Sequence, residues 1–143
     1  MPEAAPVVVD ASVVVEYLVD LGLADAATAV VRGAVEGDGE LWVPDLVYPE
    51  VASAIARLER TRALSARDAV RAIEHLAELP FQVAGTAPLL ADAWRLRGAI
   101  TLYDACYVVL AQRVGAPLVT ADARLVRAMR ARGLDARDLR RLS

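Results

Sequence analysis

The sequence predicts an α/β fold in which a parallel sheet is covered by helices on both faces. Two observations carry this. Four short runs rich in valine and leucine stand at Val7–Val9, Leu41–Val43, Phe81–Val83 and Leu118–Val119. Strands that are apolar along their length are buried on both sides, as parallel strands are. Between these runs lie segments of helical periodicity, and alternation of this kind marks a layered α/β domain.

In chain order, Val7, Val8 and Val9 form a β-branched strand that ends at Asp10. Ser12 is placed to cap the next helix, with Val14, Tyr17 and Leu18 on its apolar face. A second helical pattern covers Ala24 to Val35 and is broken by Gly37, Asp38 and Gly39. Leu41, Trp42 and Val43 make the second strand. Pro44 and Asp45 then open a helix to Arg60, with Asp45 as its N-cap. Pro49 falls in the first turn, where its missing amide has no intrahelical partner. Val51, Ala54, Ile55 and Leu58 form the buried stripe of that helix. Ser65 with Asp68 resembles a capping box and starts a helix to Leu79. Phe81, Gln82 and Val83 are the third strand. Thr86 and Pro88 begin a helix that ends near Gly98.

The next helix starts after Thr101 and is apolar almost all round, from Ala105 through Ala111. A surface helix would show a polar face, so this one is expected to be buried. Gly115 and Pro117 close a turn into the fourth strand, Leu118 and Val119. A last helix runs from Ala123 to Arg132 and stops at Gly133. The tail DARDLRRLS is expected to hold a fifth short strand. No repeat or low-complexity segment breaks the pattern, and residues 1–143 read as one domain.

Composition narrows the chemistry. Hydrophobic residues make up 57% of the chain, yet no apolar run approaches the roughly 20 residues of a membrane span. No basic leader precedes the first apolar run, so a soluble cytoplasmic protein is expected. Net charge is −3, with no lysine and a single histidine, His75. Schiff-base chemistry, a P-loop lysine, a two-histidine mechanism and a His-rich zinc site are all excluded. Cys106, the only cysteine, lies in the apolar helix and reads as a packed small hydrophobe. Any chemistry must rest on carboxylates, hydroxyls and arginines, with or without a metal.

Four acids stand at helix starts on one edge of the predicted sheet: Asp10, Glu50, Asp104 and Asp122. Asp10 follows the first strand and Asp122 the fourth. If strand order reverses between those two strands, both overhang one crevice. Each acid has a local explanation too. Asp10 and Asp122 can serve as N-caps. Glu50 and Asp104 are first-turn acids, favoured by the helix dipole, and Asp104 forms a box with Thr101. Thr120 either orients a carboxylate or water, or pairs only with backbone. Taken together, two carboxylates about 5 Å apart at an effective dielectric of ~20 repel by roughly 3 kcal/mol. Such a cluster persists only if protons or a cation offset the repulsion. With oxygen ligands alone, that cation is hard, Mg²⁺ or Mn²⁺.

The motifs VVVDAS at Asp10, YPEVASAI at Glu50, TLYDACYVVLA at Asp104 and LVTAD at Asp122 occur in this order along nearly the whole chain. They resemble the acidic motifs of PIN-domain nucleases and, among these, the VapC-type toxins of bacterial toxin–antitoxin pairs. The resemblance implies a three-layer α/β/α fold with a five-stranded parallel sheet. It also implies a Mg²⁺- or Mn²⁺-dependent endoribonuclease, a homodimer, and an antitoxin that blocks the site. By motif, Asp10, Glu50, Asp104 and Asp122 carry over as the metal-binding and catalytic acids, with Thr120 as their hydrogen-bonding support. One departure is Ser53, where members of the family often have Asn shortly after the motif glutamate.

RNA must reach this acidic pocket against the net charge, so rim arginines are expected to hold phosphates. Arg124, beside Asp122, is the first candidate, while Arg127, Arg130 and Arg132 read as solvated helix charges. Asp20 and Asp92 read as exposed helix acids, His75 as a helix-surface residue, and Trp42 and Trp94 as core or interface anchors. Two other functions fit the same fold. A phosphatase or phospho-acceptor would need a lysine and a D-x-D pattern after the first strand, and Ala11 and Ser12 follow Asp10 instead. A catalytically silent partner-binding module would suit the Ala/Leu-rich helices but has no use for four acids.

Overall fold

Five strands form one sheet: Pro6–Val9 (β1), Glu40–Pro44 (β2), Gln82–Ala84 (β3), Leu118–Thr120 (β4) and Ala136–Asp138 (β5). Their order is β3-β2-β1-β4-β5, and every pairing is parallel. The structure is a computed structural model that describes residues 5–37 and 39–142. Asp38, expected in a helix-breaking turn, and Ser143, in the expected strand-bearing tail, lie outside the described residues.

The helices are Ala11–Leu18 (α1), Ala24–Glu36 (α2), Val47–Arg60 (α3), Ala66–Glu78 (α4), Leu90–Arg95 (α5), Leu102–Val114 (α6) and Ala123–Ala131 (α7). From β1 to β3 the chain steps one way across the sheet, and from β3 through β4 to β5 it steps back. Right-handed crossovers then put α1–α4 on one face and α5–α7 on the other. The packing agrees: α1 meets α2 and α3, α3 meets α4, and α5 meets α6, which crosses β1 and β2. This is the expected three-layer α/β/α arrangement, with the reversal of order between β1 and β4.

As expected, α6 is buried at every position from Ala105 to Ala111. Its first turn is capped by Thr101, whose Oγ1 accepts from the Asp104 amide at 3.1 Å. Cys106 is buried within it, and burial pushes its thiol up. Ser65 caps α4 as expected, accepting from the Asp68 amide at 3.1 Å.

Two expected caps are corrected by the structure, for one shared reason. Asp45 does not cap α3; Leu46 holds that position without a side-chain bond. Thr86 does not cap a long helix either; it precedes a 3-10 turn at Ala87–Leu89, and α5 ends at Arg95. The two side chains bond each other instead. Asp45 Oδ1 accepts from the Thr86 amide at 3.1 Å and from the Thr86 hydroxyl. That contact ties the loop after β2 to the loop after β3. The third strand is shifted one residue from expectation. Phe81 precedes it and packs edge-on to Tyr48, with ring centroids 6.3 Å apart.

Among the remaining expectations, His75 is exposed on α4, its ring 5.4 Å from that of Tyr17. Trp42 packs partly buried against the core, and Trp94 is 55% exposed, with the Arg97 guanidinium 4.3 Å from its ring centroid. Asp20 is exposed but lies in the loop after α1, accepting from the Gly22 amide at 2.9 Å. Asp92 is half-buried rather than free, because Arg113 on α6 holds it at 3.0 Å. No helix among the described residues is long and apolar enough to cross a membrane.

Gly115 ends α6 in the left-handed region, at φ 67°, and nothing lies within 4 Å of where a Cβ would stand. A substitution there pays in backbone strain alone. Gly115→Ala should lower unfolding free energy by about 1 kcal/mol and Gly115→Asn by less, as read by urea denaturation.

Candidate active site

The register between β1 and β4 pairs Val9 with Val119. Asp10 and Thr120 therefore emerge side by side at the carboxyl edge, where the strand order reverses, and the Asp10 amide donates to Val119 O at 3.3 Å. Open α/β sheets bind ligands at such a point. Asp10 is 5% exposed and caps α1, accepting from the Val13 amide at 3.3 Å. Ser12 was expected to be that cap. The carboxylate takes the role because it stands at the strand end itself, and Ser12 turns back to support it.

Two hydroxyls brace Asp10. Ser12 Oγ donates to its Oδ1 at 2.5 Å and accepts from the Ala121 amide at 2.9 Å. Thr120 Oγ1 donates to Oδ2 and accepts from the Asp122 amide at 3.0 Å. An amide can only donate, so each hydroxyl must give its own proton to Asp10. The loop between β4 and α7 is thereby stitched to the start of α1. Thr120, fully buried, joins Asp10 to Asp122.

The other acids arrive on helix starts, as read from the sequence. Glu50 lies in the first turn of α3, Asp104 in the first turn of α6, and Asp122 caps α7, accepting from the Arg124 amide at 2.9 Å. Asp122 is exposed, whereas Glu50 and Asp104 are half-buried.

The four acids share one field. Burial raises the Asp10 carboxyl to about 6, against the donation of Ser12, Thr120 and Val13, and Asp104 adds to the rise. Burial also raises Glu50, with Asp104 and Asp10 contributing, while Tyr107 opposes it. Asp104 is raised by burial and then by Asp122. The Tyr107 hydroxyl, on α6, is itself driven far up by burial and by Glu50. Tyr107 stands close enough to Glu50 to lower its carboxyl, yet Tyr107 Oη and Glu50 Oε1 are both buried without a hydrogen-bond partner.

As the side chains stand, no three of the described His, Cys, Asp or Glu residues close around one point as ligands of an ion would. The donor set is nonetheless that of a hard-cation site: carboxylates and hydroxyls, with no sulfur or imidazole. A buried oxygen of Glu50, Oε1, has no partner, so that carboxylate has room for such a cation. Beside the acids opens a groove of about 740 Å³, lined by Ser12, Glu50, Ser53, Arg57, Tyr103 and Ala121 among others.

Arg124 is exposed at the start of α7. Sequence reading missed a second arginine. Asp138 at the end of β5 pairs in register with Thr120, and Arg140 grips it with Nε at 2.9 Å and Nη2 at 2.6 Å. That grip lowers the Asp138 carboxyl, and the field of Asp122 reaches Arg140. The signal available was a strand-ending acid followed two residues later by an arginine. Ser12 and Tyr107 were also missed as site residues, since one read as a cap and the other as core.

The raised Asp10 carboxyl has a consequence for stability. Its native value of about 6 exceeds the ordinary 3.8, so the native state binds the proton more tightly than the unfolded chain. This contribution is fully present below about pH 4 and is lost as pH rises through 6, a change of about 3 kcal/mol. Asn removes the charge and one of the two acceptor oxygens that Ser12 and Thr120 use, so the readout is the pH dependence. In chelator, the unfolding free energy of the wild type should fall relative to that of Asp10→Asn by up to about 3 kcal/mol between pH 4 and pH 7. Urea denaturation across that interval reads it; a difference between the two that stays constant with pH would contradict the assignment.

The PIN domain family matches residues 7–131 of the chain. Ribonuclease VapC3 of Mycobacterium tuberculosis is 38% identical over 122 residues, covering 85% of this chain and 86% of the relative. Ribonuclease VapC1 of the same organism is 34% identical over 125 residues, covering 85% and 89%. Among solved structures, PAE2754 from Pyrobaculum aerophilum superposes with a TM-score of 0.65 at 25% identity, covering 87% of this chain and 79% of that one. FitAcB from Neisseria gonorrhoeae has a TM-score of 0.68 at 17% identity, covering 95% and 99%, a likeness of fold. With its sheet order, its four acids on one edge and these relatives, the chain belongs to the PIN-domain family, among the VapC-type ribonucleases.

Proposed function

We propose that this chain is a Mg²⁺- or Mn²⁺-dependent endoribonuclease that acts as the toxin of a toxin–antitoxin pair. The observation that carries the reading is the brace at the reversal point: Thr120 joins Asp10 to Asp122, and Glu50 and Asp104 lie in the same field. A purely structural carboxylate has no need of charged neighbours that raise its proton affinity, as Asp104 does for Asp10 and Glu50.

Asp10, Glu50, Asp104 and Asp122 would hold the cation. When bound, a hard divalent ion supplies the positive charge that offsets an anionic phosphodiester transition state and favours ionisation of an attacking water. The chain's own residues set the rest. Ser12 and Thr120 fix Asp10 in one rotamer, so its oxygens present one geometry. Glu50 Oε1 has no partner, which leaves that carboxylate free to turn toward the cation. Asp104 and Asp122, carried on helix N-termini, complete the anionic wall. Arg124, exposed on α7, offers guanidinium N–H groups to the RNA backbone, which must approach an otherwise negative edge, while Arg140, held by Asp138, adds positive field near Asp122. The resemblance of the chain's motifs to those of the VapC-type toxins implies a cognate antitoxin that blocks the site, and a homodimer.

The purified chain should cut RNA in Mg²⁺ or Mn²⁺ and not in chelator. Asp104→Asn should lower the rate by at least about 100-fold with its circular dichroism unchanged. Equal cutting in chelator, or full activity in Asp104→Asn, would overturn the assignment. In the inactive Asp104→Asn background, Arg124→Ala should weaken binding to single-stranded RNA at low salt. It should also flatten the log–log salt dependence by about 0.7, measured by fluorescence anisotropy.

A further inference from the structure

We propose that Tyr107 is a positioning residue for Glu50: when a divalent cation fills the acid pocket, the Tyr107 hydroxyl donates to Glu50 and holds that carboxylate toward the ion. The inference rests on the metal-dependent reading above and adds to it a residue outside the four acids.

Two buried side-chain polar atoms among the described residues have no hydrogen-bond partner, Glu50 Oε1 and Tyr107 Oη. They belong to residues that act on each other. Buried polar groups are paired as a rule, and an orphan calls for an explanation. Two orphans on neighbouring residues have one explanation in common: a carboxylate and a hydroxyl that pair when something else arrives.

The fold supports this. Tyr107 follows Asp104 by three residues on α6, so both lie on the same helix face, Asp104 at the edge and Tyr107 one turn deeper. Tyr107 is 1% exposed and lies in an unbroken apolar run, Ala105 to Ala111. Packing there asks only for an aromatic ring, which Phe would supply, so the hydroxyl has no role in the core. A protonated phenol can only donate to a carboxylate. A carboxylate that turns one oxygen to a cation leaves the other for such a donor, the usual arrangement behind a metal ligand.

The test is Tyr107→Phe in the full chain, stripped of metal and titrated with Mn²⁺ by calorimetry, with melting curves taken in chelator. Phe removes an unpaired buried hydroxyl, so the metal-free variant should melt no lower than the wild type. Its Mn²⁺ affinity should fall by about 10-fold or more. A structural role alone would lower the metal-free melting temperature, and that result would overturn the proposal. So would an Mn²⁺ affinity equal to that of the wild type. If the wild type itself takes up no Mn²⁺, the metal-dependent reading fails along with this one; if it binds and Tyr107→Phe binds equally, only this inference fails.

Discussion

A carboxylate that must stay buried at the reversal of the sheet sets the terms for this molecule. Asp10 sits between β1 and β4 with almost no access to solvent, and an unpaired charge there would be untenable. The fold surrounds it with donors drawn from both ends of the chain: Ser12 and Val13 beside it, and Thr120 across the sheet. Those donors depend on register. A slip of one residue between β1 and β4 would turn Thr120 to the other face of the sheet and leave Asp10 without its partner. The pairing of two short strands and the geometry of the acid site are thus one constraint, and neither can be altered alone.

Donors do not settle the whole account. Each acid stands at the start of a helix, where the backbone amides carry partial positive charge, a benefit of about 0.3–1 kcal/mol apiece. Repulsion between neighbouring carboxylates is of the order of 3 kcal/mol per close pair. The helix ends therefore compensate the cluster only in part. The remainder is visible as the raised proton affinity of Asp10, Glu50 and Asp104, each with burial as its first cause and a neighbouring acid as a further one. A protein that keeps this imbalance at the carboxyl edge, next to an open groove, is poised to take up positive charge.

Much of this was legible in the sequence because period and punctuation are local. The apolar run from Ala105 to Ala111 announced a buried helix, Thr101 and Ser65 announced their caps, and Gly115 its stop. The reversal between β1 and β4 could be posed as a condition but not established, since no local signal states which strands are neighbours. What failed to be legible was pairwise and long-range. Asp45 and Thr86 each had the chemistry of a helix cap, and only the adjacency of the loops after β2 and β3 spends them on each other. Ser12 looked like a cap because caps lie near helix starts. Its bond to the Ala121 amide, across 109 residues, has no trace in the spacing. Arg140 was silent for the same reason, its place beside Asp122 arising from the β4–β5 register.

The four acids are not held alike, and the difference explains why the site is open as it stands. Asp10 is fixed from three directions, and Asp122 is fixed through its capping bonds to the start of α7. These two form a rigid side whose positions follow from the sheet. Glu50 has a buried oxygen with no partner, and the Asp104 carboxylate has only Thr101, at the cap of its own helix, to lower it. These two form a side that the fold brings near and does not lock. Locking all four would confine like charges at close range with nothing between them, at a cost that rivals a domain's net stability of ~5–15 kcal/mol. Leaving two adjustable spares the fold that cost, and the described residues accordingly close no cluster of three such groups around one point.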